Sequence, residues 1–135
     1  MIGVLIVTHA GLAREFVVAL EHILGKKQSQ LEAICIAADD DMHDVMNLIK
    51  DKIDLVNSGK GVIILTDMFG GTPSNLAISM TDNHNIEVLA GVNLPALVKL
   101  MGVRHNNTVQ EAVRTARDAG VKYMKATCDF FETSL

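Results

Sequence analysis

Two hydrophobic periods alternate along the chain. Residues 2–7 form a continuous apolar run broken by one Gly, the pattern of a strand covered on both faces. From residue 11 to about 24 the apolar positions become Leu12, Phe16, Val17, Leu20, Ile23 and Leu24, which is helical spacing. Gly25 and a polar stretch to residue 30 close that helix, and residues 31–37 predict a second strand. Asp39, Asp40 and Asp41 offer N-cap and first-turn carboxylates to a helix running to about residue 57, with Met42, Val45, Met46, Ile49, Ile53 and Val56 as its stripe. Asn57, Ser58 and Gly59 stop it.

Residues 61–66 predict the third and most hydrophobic strand, and residues 67–71 a loop. Thr72 then reads as an N-cap and Pro73 as the first residue of a helix reaching about residue 80. A fourth strand is expected over 86–92, a short helix over 94–101 after Asn93, and another over about 108–119. Gly120 is expected to interrupt it, and residues 121–127 fit a final strand or a helical continuation equally well. Strands alternating with helices predict one α/β domain over residues 1–135, an open, mainly parallel sheet with helices on both faces.

Composition narrows this picture. The chain has 135 residues, enough to bury about two-thirds of its unfolded surface without metals or disulfides. Hydrophobic residues make up 49% but aromatic ones only 4%, so the core must be aliphatic. No apolar run approaches the roughly 20 residues that cross a bilayer. The first residues show no basic leader or small-residue cleavage site, which sets the expectation of a cytoplasmic protein. Cys35 and Cys128 are accordingly expected as reduced core thiols. A net charge of −4 with no concentrated basic surface argues against nucleic acid as a partner.

The chemistry is expected at the strand ends. Open parallel sheets collect ligands beyond the carboxyl ends of their strands, where the strand order reverses. Thr8 and His9 follow the first strand there, and Thr66 and Asp67 follow the third. A carboxylate accepting from one imidazole nitrogen fixes the tautomer and leaves the other nitrogen as a nucleophile. Gly70, Gly71 and Thr72 then supply backbone N–H groups and a hydroxyl that can surround an anion. Each feature alone is ordinary, a polar residue ending a strand or a turn before a helix. Their convergence on one sheet edge points to a phosphoryl carrier on His9.

Three separated stretches carry a resemblance: VTHAGLA after the first strand, TDMFGGTPSN after the third, and LAGVNLPALV after the fourth. Together, from about residue 1 to residue 120, they resemble the IIA domain of the mannose/fructose (mannose-type) sugar phosphotransferase system. The resemblance implies that His9 accepts a phosphoryl group from the carrier HPr and passes it to a IIB component, with Asp67 as the carboxylate partner and Gly71 and Thr72 beside the phosphate. It implies a cytoplasmic homodimer, often with an exchanged C-terminal strand, for which residues 121–127 are the candidate. It implies no metal, no other cofactor, and contact with a membrane permease only through partners. No IIB domain follows Leu135, so the expected acceptor is another chain. Met68 and Phe69 replace more polar-aromatic pairs of some relatives; they either form a small docking patch or tuck under their loop. The phosphotransfer subunit of dihydroxyacetone kinase shares the expected fold, but DMFGGTPSN fits the sugar-transport branch better.

Other assignments weigh less. A regulatory module, in which phosphorylated His9 governs partner binding without feeding a permease, uses the same chemistry. A receiver domain needs an acidic cluster after its first strand, and a dinucleotide binder needs a glycine-rich turn there; Thr8, His9 and Ala10 provide neither. His22 and His43 read as helix-surface residues, and His84 and His105 as loop residues. Asp39, Asp40, Asp41 and His43 read as a capping cluster rather than a metal site, and Met42, Met46, Met80 and Met101 as core filler.

Overall fold

A computed structural model describes residues 1–81 and 85–132, so His84 lies outside the described residues. Ten elements follow in chain order: β1 (Gly3–His9), α1 (Leu12–Leu24), β2 (Leu31–Ile36), α2 (Met42–Val56), β3 (Val62–Thr66), α3 (Thr72–Ile78), β4 (Ile86–Ala90), α4 (Leu94–Val103), α5 (Val109–Lys122) and α6 (Thr127–Glu132). The four strands are parallel in the order β2-β1-β3-β4. β1 and β3 are buried almost throughout, as their unbroken aliphatic runs require, whereas the edge strands β2 and β4 are only partly covered.

Alternation along the strands divides the core in two. Val4, Ile6, Ile63 and Leu65 face a layer built from α1, α4 and α5 through Ala13, Leu20, Leu97, Leu100, Val109, Ala112 and Ala116. Leu5, Val7, Val62 and Ile64 face α2 and α3 through Val45, Ile49, Ile53, Val56 and Ala77. The sheet is therefore a middle layer with helices on both faces. Strand order reverses between β1 and β3, which puts a crevice at their carboxyl ends.

Helix starts follow side-chain chemistry at three places. Asp41 caps α2, its carboxylate accepting from the N–H groups of His43 at 2.8 Å and Asp44 at 3.2 Å. Asn93 caps α4 through the Ala96 N–H, and Thr108 and Glu111 form a reciprocal capping box on α5. The Thr108 backbone N–H, followed by its side chain, holds the Glu111 carboxyl below the usual carboxylate range.

Several expectations need correction. Gly120 does not interrupt α5 but lies buried inside it, where a Cβ would stand 3.0 Å from Asn93 Oδ1 and 3.2 Å from Ala96 Cβ. Asn93 Nδ2 donates to the Gly120 carbonyl across that contact, so glycine lets α5 close onto the start of α4. Of the two readings of residues 121–127, helical continuation describes Val121 and Lys122; a turn follows, and Thr127 opens α6. Thr72 is the first residue of α3 and not its N-cap, a position taken by Gly71 with no side-chain bond. β4 ends two residues early because the N–H groups of Gly91 and Val92 both turn onto the Thr66 carbonyl. Met42 is exposed at the first turn of α2, and Cys128 is an exposed thiol on α6 rather than a core one. Cys35 is half-buried, and both thiols are free. No helix of the described residues is long and apolar enough to cross a membrane.

Arg104 is a buried cation at the amino end of the sheet. Its guanidinium donates to the carbonyls of Ser29 at 2.7 Å and Gln30 at 3.1 Å, and burial lowers its pKa from the ordinary arginine value. It fastens the end of α4 to the entry of β2, opposite the crevice.

Candidate functional site

The crevice is built by β1 and β3 running side by side, with Val7 paired to Thr66. Beyond that pair, His9, two residues after Val7, and Asp67, one residue after Thr66, meet across 58 residues of sequence. Asp67 Oδ2 lies 2.9 Å from His9 Nδ1 and accepts the His9 backbone N–H at 3.0 Å. One carboxylate oxygen thus holds both the main chain and the ring of a single histidine. A carboxylate only accepts, so the contact selects the imidazole with hydrogen on Nδ1 and the lone pair on Nε2. The His9 side chain is 47% exposed and that of Asp67 only 13%, which makes the pair a fixed carboxylate beneath an accessible ring.

Neighbouring backbone fixes the ring further. Thr8 points to the other face, where its hydroxyl accepts the Ala13 N–H at 2.7 Å and donates to the His9 carbonyl at 3.1 Å. That bond serves the first turn of α1, whose N-cap Gly11 has no side chain to do so. Ala10 adopts φ 49°, a left-handed conformation that costs a non-glycine residue energy. Its N–H still reaches the Ile36 carbonyl at 2.9 Å, so the ladder to β2 continues past His9 before the chain turns into α1.

Gly71 closes the opposite side. A Cβ there would stand 2.8 Å from His9 Cε1 and 3.4 Å from Nε2, closer than carbon atoms approach without movement. A side chain here would displace the ring, because the loop backbone lies against the edge of the imidazole that carries Nε2. Thr72 follows with an exposed side chain. Met68 and Phe69 are 58% and 78% exposed, so Phe69 does not tuck under its loop; both stand in solvent beside the crevice.

The structure therefore brings His9, Asp67 and Gly71 together from two strand ends and leaves His22, His43 and His105 apart from them. No group of three metal-ligating side chains occurs among the described residues. Sequence reasoning missed the left-handed turn at Ala10 and the buried hydroxyls of Thr66 and Ser74. A polar residue closing an all-aliphatic strand was the available signal for Thr66.

Replacing Gly71 by Ala is expected to push the imidazole off its seat without unfolding the protein. A displacement near 1 Å at a reacting group costs up to about 100-fold. On the sequence-based expectation that His9 takes up a phosphoryl group, uptake should fall by one to two orders of magnitude, and a rate equal to wild type alongside unchanged thermal unfolding would show that the ring tolerates the added methyl.

The family model described as "PTS system fructose IIA component" matches residues 3–117. The "PTS system mannose-specific EIIAB component" of Escherichia coli K12 is 31% identical over 131 residues, covering 93% of this chain and 40% of that protein. The chain thus spans about 40% of the length of such curated relatives. The "PTS system fructose-specific EIIA component" of Bacillus subtilis 168 is 33% identical over 57 residues, covering 42% of this chain and 39% of that protein. Among solved structures, the phosphotransferase system component EIIA from Streptococcus agalactiae superposes with a TM-score of 0.86 at 25% identity, covering 96% of this chain and 99% of that one. The mannose/sorbose specific IIA subunit from Enterococcus faecalis gives 0.81 at 19% identity, covering 93% of each chain, and supports the fold alone.

Proposed function

The chain belongs to the PTS fructose/mannose IIA family, whose members are phosphotransferases, and on that premise we propose that His9 takes a phosphoryl group from phospho-HPr and hands it to a IIB component. The observation that carries this reading is the 2.9 Å contact between His9 Nδ1 and Asp67 Oδ2, which leaves Nε2 as the free nitrogen of a half-exposed ring.

The transfer is an exchange of one P–N bond for another. The Nε2 lone pair of His9 attacks phosphorus of the donor phosphohistidine. The donor P–N bond breaks, and its electron pair returns to the donor imidazole. Positive charge that develops on the His9 ring is stabilised by Asp67, whose carboxylate is already aligned and needs no reorganisation. Such transfers pass through a loose transition state and depend on positioning and charge stabilisation. In this reading Gly71 and Thr72 border the phosphoryl group: the exposed Thr72 hydroxyl makes no capping bond and can donate to the phosphoryl oxygens, while the Gly71 N–H already bonds the Met68 carbonyl at 3.3 Å and Gly71 contributes close approach of the backbone. Passage to IIB is the same exchange in the other direction, so His9 needs no metal and no nucleotide.

Met68 and Phe69, with Leu12 also exposed at the start of α1, offer apolar surface around the ring to which HPr and IIB dock in turn. The carrier works in the cytoplasm and meets the permease only through IIB. Exposed apolar groups at Val121, Tyr123, Met124, Phe130 and Phe131 support a homodimer that covers the C-terminal segment. In a discharge experiment, the labelled protein separated from HPr should lose its label to a IIB protein of the mannose or fructose class. Retention of label with every such acceptor would replace the transport role by a regulatory one.

A further inference from the structure

Four buried side-chain polar atoms lack a hydrogen-bond partner among the described residues: Thr66 Oγ1, Asp67 Oδ1, Ser74 Oγ and Arg104 Nε. Arg104 belongs to the far end of the sheet, while the other three fall within nine residues of sequence, 66–74, that include Asp67, the partner of His9. Buried polar atoms are almost always satisfied, so three in one short segment that leads from β3 into α3 call for a cause.

Topology puts the two hydroxyls in one layer. Val62 and Ile64 face α3, and alternation puts Thr66 on that same face at the carboxyl end of β3. α3 returns across β1, β3 and β4 after a five-residue loop, burying Pro73, Ser74 and Ala77 in its first turns. Thr66 and Ser74 are each 0% exposed, so bulk solvent reaches neither hydroxyl. Asp67 continues directly from Thr66. Its Oδ2 carries both bonds to His9, and its Oδ1 faces inward with no donor.

The donor and acceptor count then becomes informative. A carboxylate oxygen can only accept, whereas each hydroxyl can donate one hydrogen and accept others. No hydroxyl lies within direct bonding distance of Oδ1. An enclosed water typically makes about three bonds to polar groups of this kind. We infer that Thr66 and Ser74 are positioning residues for the phosphotransfer reaction, their hydroxyls holding one enclosed water that donates to Asp67 Oδ1 and so fixes the carboxylate that orients His9. Each hydroxyl donates to the water, and the water donates to Oδ1, so all three orphaned oxygens are satisfied. Neither residue touches the phosphoryl group; both act through Asp67. This inference rests on His9 being the phosphoryl carrier.

Thr66→Val and Ser74→Ala remove the hydroxyls with little change in shape, and Thr66→Ser keeps one. Loss of a single supporting hydrogen bond corresponds to a rate change on the order of tenfold. Phosphoryl uptake from HPr should slow by about that factor in Thr66→Val and Ser74→Ala, with the apparent KM for HPr unchanged. Nitrogen-15 NMR of His9 in the unphosphorylated protein should show the Nδ1–H tautomer in the wild type and a mixture in both variants. Thr66→Ser should restore rate and tautomer together. Wild-type rates and an unmixed tautomer in folded Ser74→Ala and Thr66→Val would overturn the inference, and Ser74→Ala decides alone if Thr66→Val does not fold. The tautomer measurement needs no phosphate donor. A wild-type protein that takes no label defeats the carrier reading instead, whatever the variants do.

Discussion

His9→Gln protein is expected to fold normally and to accept no phosphoryl group from phospho-HPr. The folded state loses little because His9 is the last residue of β1 and its ring is half exposed. Its side-chain bond to Asp67 lies at the exposed strand end, outside the two hydrophobic layers. The backbone N–H of residue 9 still reaches Asp67, so the strand end is preserved. Gln can keep an amide hydrogen near Asp67 but has no ring nitrogen with a lone pair to attack phosphorus. The loss is therefore of the nucleophile itself, and no uptake above background is expected. Thermal unfolding within a few degrees of wild type, measured beside label uptake, separates this outcome from simple misfolding.

Asp67→Asn is the second large effect. The substitution keeps size and shape but replaces an acceptor pair by an amide that also donates. An amide NH2 turned toward Nδ1 favours the ring with its lone pair there and hydrogen on Nε2, the wrong tautomer for attack. It also removes the negative charge that stabilises the ring as it becomes cationic. Wrong-tautomer substitutions of a histidine's carboxylate partner in hydrolases cost on the order of 10,000-fold. Less is at stake here, because His9 acts as nucleophile rather than as general base, and a loss of about 100-fold to 1,000-fold in uptake rate is expected. An unchanged rate with an intact fold would remove Asp67 from the mechanism.

Much of the architecture was legible because period and punctuation agreed. The aliphatic runs of β1 and β3 admit no other covered element, and Asp41, Asn93 and Thr108 announce their helices by chemistry. What misled was tertiary. Gly120 reads as a breaker in isolation, yet it is the contact that lets α5 meet α4, a requirement that no local pattern carries. Thr72 has the right side chain for an N-cap, but the helix starts at Thr72 itself and the cap position falls to Gly71, whose backbone lies against the imidazole.

The candidate site divides along the same line. His9, Asp67 and Gly71 could be placed at one sheet edge because strand ends in a parallel sheet are a fixed address. Which carboxylate oxygen bonds which ring nitrogen depends on side-chain rotation about two strand ends, and only coordinates give it. The exposure of Phe69 was likewise undecidable from sequence, since a loop aromatic can turn inward or outward at the same spacing. Ala10 shows the limit most clearly. Nothing in its identity signals φ 49°, and the turn it makes is set by the need to leave β1 and enter α1 within three residues.

The central claim is that His9 itself carries the phosphoryl group. It is tested most directly by incubating the protein with enzyme I, HPr and labelled phosphoenolpyruvate, then mapping the label by mass spectrometry at neutral and alkaline pH. The account predicts one acid-labile, base-stable phosphohistidine per chain, on Nε2 of His9. Label on another residue, or the same uptake by His9→Gln protein, would contradict it.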